Sequence, residues 1–135
     1  YSPPEISGDN GAISSSITAN GLIFLRSPLP TETNLPKGQV TVEGTPWAQL
    51  DWGTAVTYCE SIDARLPTKV ELEDSLLPLV NDGSFNGTHH WPVSKTYWSI
   101  TEIEANKHNV MKTSVSPAVM SGLKDTNKQY VSCVL

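Results

Sequence analysis

Hydrophobic and polar positions change period along the chain, which predicts strands toward both ends and helices between them. Residues 21–26 form a short apolar run directly after Asn20-Gly21, a turn-forming pair, and we expect a strand there. Alternating apolar and polar positions predict the other strands. We expect these strands at 39–43, 97–101, 109–115 and 129–135, with loops over the rest of 27–46, over 81–95 and over 116–128.

The first predicted helix spans residues 51–63. Apolar residues recur there with helical spacing and form one face of the helix. The members of that face are Trp52, Ala55, Val56, Cys59 and Ile62. Asp51 precedes them and is suited to the N-cap position, because its carboxylate can accept a hydrogen bond from the first turn.

A second helix is predicted directly after the sequence Arg-Leu-Pro-Thr. Thr68 followed by Glu71 forms a T-x-x-E capping box, which is typical of a helix start. The residues expected to point inward are Val70, Leu72, Leu76 and Leu79. Pro78 should end the helix near Leu77, because proline has no N–H to donate inside a helix.

The order of elements predicts an α+β fold, with two helices packed on small antiparallel sheets and long loops between strands. A length of 135 residues fits one domain. Residues 1–20 are rich in Ser, Gly, Pro and Asn, and we interpret them as a linker or an entering strand from a preceding domain. The domain proper is expected over 21–135. Because the chain starts at Tyr1, we expect it to be part of a longer protein.

Charge and hydropathy exclude several classes of partner. Nine Lys and Arg against fourteen Asp and Glu give a net charge of −5, and no basic stripe is visible. We therefore expect no nucleic-acid partner. The longest apolar run, residues 22–25, is far shorter than the roughly 20 residues that cross a bilayer. We expect no direct membrane insertion by this domain.

The two cysteines, Cys59 and Cys133, allow two interpretations. They are either buried, unpaired thiols or a disulfide that ties the last strand to the first helix. We favour the disulfide, since Cys59 falls on the buried helix face and Cys133 falls in the closing strand. The loop that it would close is long, and the chain-entropy model gives such a loop a stabilisation of about 4 kcal/mol.

Four short motifs occur in order along the chain. They are W-x-x-A-x-x-Y-C at 52–59, A-R-L-P-T-x-x-E-L at 64–72, Y-W-S-x-T at 97–101 and Y-V-S-C-V at 130–134. Together they resemble the C-terminal C-type-lectin-like domain of the intimin and invasin adhesins, bacterial outer-membrane proteins. The resemblance covers about residues 47–135. The chain departs from the family pattern at Ile100 and in the His-containing loop before Tyr97.

The resemblance implies a C-type-lectin-like fold with one disulfide, Cys59–Cys133, and a receptor-binding role at the tip of a surface adhesin. The implied partner is a host-cell surface protein or glycan. The implied location is the bacterial cell surface, in a larger outer-membrane-anchored protein whose preceding domains are immunoglobulin-like. The alternatives are a structural cap or self-association module of a surface stalk, and a calcium-dependent carbohydrate-binding lectin.

The residues give little support for a cofactor, a metal or catalysis. The Glu-Pro-Asn, Gln-Pro-Asp and Trp-Asn-Asp motifs of sugar-binding C-type lectins do not occur, so few hard oxygen ligands for Ca²⁺ are visible. A structural zinc site needs four ligands, and the only histidines are His89, His90 and His108. Neither G-x-S-x-G nor H-E-x-x-H is present. We expect no cofactor, no metal and no enzyme activity.

Loops on a rigid scaffold are the preferred places for binding residues, and the loop over 85–95 is the first candidate here. The stretches 104–108 and 124–128 are the next. The candidate ligand-binding residues are Phe85, Asn86, His89, His90, Trp91, Lys95, His108, Lys124 and Asp125. We expect them on loops opposite the helices.

The four tryptophans have different expected roles. Trp52 and Trp98 are expected in the core, and Trp47 is expected to pack at the start of the first helix. Trp91 lies in a polar loop. It is either an exposed binding anchor, whose loss should reduce binding without lowering the melting temperature, or a plug that folds back on the core.

Overall fold

The computed structural model describes residues 1–8, 11–34 and 39–135. Its strands are β1 (Ile6–Gly8), β2 (Gly11–Ile13), β3 (Ser16–Ala19), β4 (Leu22–Leu25), β5 (Gln39–Val42), β6 (Thr45–Ala48), β7 (Thr96–Glu104), β8 (Lys107–Lys112) and β9 (Val119–Lys124). Its helices are α1 (Pro30–Thr33), α2 (Trp52–Ser61), α3 (Lys69–Glu71), α4 (Leu77–Asp82) and α5 (Ser84–Gly87), with a π-helical segment, Leu72–Leu76, between α3 and α4. No helix in these ranges has both the length and the apolarity needed to cross a bilayer.

Three antiparallel hairpins form the first part of the domain: β1–β2, β3–β4 and β5–β6. The predicted turn between β3 and β4 is present, with positive φ at Asn20 (52°) and Gly21 (77°). Thr45 and Pro46, the first two residues of β6, were expected to be loop. That prediction is wrong, because Glu43 and Gly44 also take positive φ and form a second tight turn that returns the chain onto β5.

A three-stranded antiparallel sheet, in the order β7–β8–β9, forms the second part. β9 lies in the stretch 116–128 that was predicted to be loop, so that prediction is wrong for the residues of β9. Its sequence has no clean alternation, and its conformation comes from pairing along β8. Gly122 lies under the side chain of Ile103, and a Cβ at this position would lie 2.5 Å from its Cδ1, so a larger residue would require Ile103 to move.

The predicted closing strand over 129–135 is instead a series of separate bridges. Val134 bridges Phe24 on one side and Arg65 on the other, while Tyr130 bridges Tyr97. Side chains add to this, since the Ser132 hydroxyl donates to the carbonyl of Leu25 at 2.8 Å. The last residues therefore join the hairpins, the helices and the three-stranded sheet without belonging to any one sheet.

The first predicted helix is confirmed as α2. Asp51 is its N-cap, and its carboxylate accepts a hydrogen bond from the Thr54 amide at 2.9 Å. Ala55, Tyr58 and Cys59 are buried on its inner face. α2 thereby places the Cys59 sulfur against the C-terminal segment.

The second helix begins as predicted and ends differently. The Thr68–Glu71 capping box is present. Val70 is 59% exposed, so its predicted inward position is wrong. The helix also does not end near Leu77 but continues to Asp82 as α4. Pro78 is accommodated because the π-helical segment restarts the hydrogen-bond ladder, which places the proline in the first turn of α4, where its missing N–H needs no partner.

Two buried clusters form the core. One surrounds Trp91 and Tyr97, and the other surrounds Trp98 and the half-cystines. Trp98 is fully buried, as expected, whereas Trp52 is only partly buried. Trp47 is also fully buried, but in the first cluster rather than with the residues of α2, which belong to the second. Ile13 and Ile17 belong to the first cluster, so these residues of β2 and β3 pack with the body of the domain. Whether residues 1–20 follow a preceding domain stays a prediction.

The predicted disulfide is present between Cys59 and Cys133, with a Cα–Cα distance of 5.5 Å and a sequence separation of 74 residues. Both half-cystines are buried in the second cluster. The bond connects α2 to the C-terminal segment and so closes most of the domain into one covalent loop.

Removing the disulfide should destabilise the domain by up to about 4 kcal/mol, because the unfolded chain would regain the freedom of a long loop. The double variant Cys59→Ala/Cys133→Ala tests this in urea unfolding, with the wild type as reference. An unchanged urea midpoint would contradict the expected role of the bond.

Acidification should expose the contribution of one ion pair. Arg65 donates to both carboxylate oxygens of Glu71 at 2.7 and 2.8 Å and lowers the pKa of that carboxyl to about 2. Stability from this depressed pKa is present above the unfolded pKa near 4.5 and is lost as the pH falls through about 2. The melting temperature of Glu71→Gln should therefore fall less than that of the wild type between about pH 5 and pH 2.

The control for this measurement is Glu73→Gln, which removes a carboxylate from an exposed position of the next helical segment. Equal acid-induced declines in wild type and Glu71→Gln would show that the Arg65–Glu71 pair does not contribute to stability.

Candidate functional site

The predicted binding residues fall into two groups at opposite ends of the three-stranded sheet. One group lies in the segment before β7, from Phe85 in α5 to Lys95, so the prediction of a loop over 81–95 is wrong for the residues that belong to α4 and α5. The other group, His108, Lys124 and Asp125, lies at the end where β7 turns into β8. The two ends are about 30 Å apart, because β7 has nine residues that each rise roughly 3.3 Å.

The loop before β7 holds its aromatic residues inside the core. Phe85 and Trp91 are each 0% exposed, and their rings meet edge to face with centroids 5.3 Å apart. The Trp91 indole N–H donates to the carbonyl of Ser14 at 2.9 Å. The exposed-anchor hypothesis for Trp91 is therefore wrong, and the plug hypothesis agrees with its position, because both its apolar ring and its polar N–H are satisfied internally.

His89 and His90 connect this loop to the first hairpin. The Ser14 amide donates to the carbonyl of His89 at 3.1 Å, and Nδ1 of His89 lies 2.9 Å from the Ser14 hydroxyl. Burial, with a smaller effect from His90, lowers the pKa of His89. The His90 ring lies directly over Gly11, where a Cβ would be 3.0 Å from Nε2. These histidines hold β2 in place, and the described residues contain no group of three His, Cys, Asp or Glu that would suit a metal.

Asn86 and Lys95 complete the first group. The Asn86 Nδ2 donates to the carbonyl of Trp91 at 3.0 Å and thus fixes the loop around the tryptophan. Lys95 is half-buried immediately before β7, and its carbonyl accepts a hydrogen bond from Thr113. The group therefore shapes the packing of the loop, and only Asn86 also lines a surface cavity.

Two residues of the second group, Lys124 and Asp125, line a cavity of about 300 Å³ that we call the hairpin-end cleft. Its lining residues are Glu104, Ala105, Asn106, Lys107, Lys124, Asp125 and Thr126. One wall is the two-residue turn between β7 and β8, in which Asn106 takes a positive φ of 63°. The other wall is the chain that leaves β9, and the Asp125 amide donates to the carbonyl of Asn106 at 2.9 Å.

A stacked pair of rings lies behind the lining of the cleft, in contact with the lining residue Asp125, and we call this pair the base of the cleft. Trp52 and His108 lie parallel, with centroids 3.7 Å apart and an interplanar angle of 12°. Nδ1 of His108 is 2.7 Å from Oδ1 of Asp125, and the Trp52 indole donates to the carbonyl of Ser99 at 3.0 Å. Each ring is held by both stacking and a hydrogen bond, so the base of the cleft is fixed before any ligand binds.

The cleft also lies at the start of α2. The Trp52 amide donates to the carbonyl of Asp125 at 3.0 Å, which satisfies one of the free N–H groups of the helix N-terminus. The expectation that the binding loops lie opposite the helices is therefore wrong for this group. Sequence patterns could not reveal this contact, because Trp52 and Asp125 are far apart along the chain.

Two lysines face each other across this end of the sheet. Lys107 and Lys124 are direct partners in the register of β8 and β9. Like charges directly opposite each other repel, so the pairing does not help the sheet. Glu104 relieves Lys107 only weakly, since their charged atoms are 3.8 Å apart and both side chains are largely in water. The lining of the cleft therefore carries two lysines together with two carboxylates, Glu104 and Asp125.

Basic residues outnumber acidic ones in the C-terminal part of the chain, whereas acidic residues predominate before it. Residues 95–135 carry five basic residues against three acidic ones, whereas residues 1–94 carry four basic residues against eleven acidic ones. The hairpin-end cleft belongs to the basic part. Lys107, which was not among the predicted candidates, is thus a central residue of this surface, and only the strand register identifies it.

Comparison with known proteins agrees with this architecture. Residues 10–134 match the family described as InvE_AD, adhesion domain. The chain belongs to this adhesion-domain family. It is the adhesion domain of an invasin- or intimin-type adhesin, so the resemblance found in the sequence is confirmed. The family is non-enzymatic, and membership in it is consistent with a location at the bacterial cell surface. A comparison with curated protein sequences gives no match.

A solved structure supports the fold. The structure of the Yersinia pseudotuberculosis adhesin InvE superposes on 91% of this chain with a TM-score of 0.76 and 22% sequence identity. This adhesion domain corresponds to 34% of that chain, or about a third of its length. The α+β fold with two main helices, small antiparallel sheets and one disulfide is thereby confirmed.

Replacing Trp91 by alanine should destabilise the adhesion domain by about 3–5 kcal/mol, because the change removes a buried aromatic ring and leaves a cavity. Thermal and urea unfolding measure this effect. The control is Trp91→Phe, which keeps most of the ring and loses only the hydrogen bond to Ser14. An unchanged melting temperature in Trp91→Ala would contradict the plug role of Trp91.

Proposed function

We propose that the adhesion domain binds a host-cell surface protein through the hairpin-end cleft. The observation that carries this proposal is the opposed pair of Lys107 and Lys124 above the rigid Trp52–His108 base. A preformed cleft loses little conformational entropy on binding. Lys107 has only a weak contact with Glu104, and Lys124 has no ion pair among the described residues, so the two lysines favour an acidic surface on the partner. The family supports an adhesion role, while the partner itself is part of this proposal.

The wider setting belongs to the same proposal. The adhesion domain would form the tip of a longer outer-membrane-anchored protein, with immunoglobulin-like domains preceding it. In that arrangement the C-terminal end of the chain lies farthest from the membrane, and the turns of the last sheet are available to a host cell. Loops presented by a rigid scaffold are suited to such a role.

The charges of the cleft provide the test. The double variant Lys107→Glu/Lys124→Glu should reduce binding of the labelled domain to cultured epithelial cells by at least about tenfold, since it reverses two charges that face the partner. Raising the salt concentration should weaken wild-type binding and have less effect on the variant. Flow cytometry over a range of domain concentrations measures both effects.

The matched control is Lys95→Glu, the same charge reversal at the other end of β7. It should leave cell binding within about twofold of the wild type, because it lies well beyond a Debye length from the cleft. Circular dichroism and melting temperature establish that each variant is folded. Equal binding by the wild type and the double variant would reject the cleft as the receptor site. Concentration-dependent self-association without cell binding would instead favour a stalk cap.

A further inference from the structure

We propose that a second cavity, at the opposite end of the three-stranded sheet from the hairpin-end cleft, binds an uncharged sugar ring of a host glycan. The cavity has a volume of about 300 Å³ and lies between α4, α5 and the chain that follows β8. We call it the asparagine cavity. The residues that matter for recognition are Asn81, Asn86, Val80, Val93, Val115 and Pro117.

The two asparagine side chains are held in fixed orientations by the domain itself. Oδ1 of Asn81 accepts a hydrogen bond from the amide of Ala118 at 2.8 Å, and Nδ2 of Asn86 donates to the carbonyl of Trp91 at 3.0 Å. These backbone partners also determine which atom of each amide is oxygen, because an N–H can only donate and a carbonyl can only accept.

Each asparagine therefore keeps the other half of its amide for a ligand. Nδ2 of Asn81 remains as a donor and Oδ1 of Asn86 as an acceptor, and neither atom makes a hydrogen bond within residues 1–8, 11–34 and 39–135. A sugar ring carries neighbouring hydroxyl groups that both donate and accept. One fixed donor and one fixed acceptor at the same cavity suit such a pair of hydroxyls.

The rest of the lining favours an uncharged ligand. None of the lining residues is charged, in contrast to the four charged residues of the hairpin-end cleft. Val80, Val93 and Pro117 provide apolar walls for the C–H face of a ring. The Thr113 hydroxyl is already bonded to the carbonyls of Val93 and Lys95, so it supports the wall rather than the ligand.

The size of the cavity favours a single ring. A volume of about 300 Å³ is at the lower end of the range for small-molecule sites, which is roughly 300–1,000 Å³. An extended peptide would need a longer groove. The ligand class is thus the uncharged terminal sugar of a glycan chain, recognised without a metal ion.

Titration of the ¹⁵N-labelled domain followed by NMR tests this assignment. The probes are the methyl glycosides of galactose, mannose and N-acetylglucosamine, each added to about 50 mM, because single sugars bind with dissociation constants in the millimolar range. At least one of them should shift the side-chain amide signals of Asn81 and Asn86. N-acetylneuraminic acid, a charged sugar, should not shift them.

A matched pair of variants locates the site. Val115→Arg places a long charged side chain at the cavity and should weaken binding of the active glycoside by at least about tenfold. Val119→Arg makes the same change at a position that does not line the cavity and should bind within about twofold of the wild type. The two valines are exposed to similar extents, 40% and 44%, so neither change should prevent folding.

Several results would overturn the assignment. They are no shift of the two asparagine signals with any neutral glycoside, shifts with the charged sugar only, or equal affinity in Val115→Arg and wild type. The cell-binding result for the Lys107/Lys124 variant does not depend on this cavity, so the two proposals fail or succeed separately.

Discussion

The bridging of the C-terminal segment is the constraint on which the rest of the structure depends. Val134 pairs with both Phe24 and Arg65, and the adjacent Cys133 is bonded to Cys59 of α2. A few residues thus join a hairpin from the start of the chain, the helices from the middle and the last sheet. Small two-stranded hairpins are marginally stable alone, so this segment gives them a common core to pack on.

Each end of the three-stranded sheet carries a surface cavity. At one end, the turn between β7 and β8 meets the start of α2 and forms a charged cleft above stacked rings. At the other end, the chain that follows β8 meets α4 and α5 and forms an uncharged cavity. A single scaffold therefore presents two chemically different surfaces, which suit a protein ligand and a neutral sugar respectively.

The aromatic residues illustrate how position in the fold decides a role. The sequence left Trp91 as either an exposed anchor or a buried plug, and the structure buries it fully against Phe85 with a hydrogen bond to Ser14. Trp52 looked like a core residue because it lies on the apolar face of α2, yet it is the partly buried base of the cleft. In both cases the contact that decides the role is with a residue far away in the sequence, Ser14 for Trp91 and His108 for Trp52.

The sequence alone determined the features that depend on nearby residues. Helical spacing and the Asp51 cap predicted α2, and the Thr68–Glu71 box predicted the start of the second helix. The turn at Asn20-Gly21 predicted where β4 begins. Ordered motifs and two cysteines were sufficient for the fold family. These signals are local because capping bonds, turn angles and helical faces involve residues within a few positions of each other.

Only the tertiary structure decided the rest. The pairing of β9 and the opposition of Lys107 and Lys124 both depend on contacts with the neighbouring strand β8. The same holds for the two surfaces, since the hairpin-end cleft and the asparagine cavity each combine segments separated along the chain. A local pattern carries no information on which distant segment will pack against it, and these sites exist only where such segments meet.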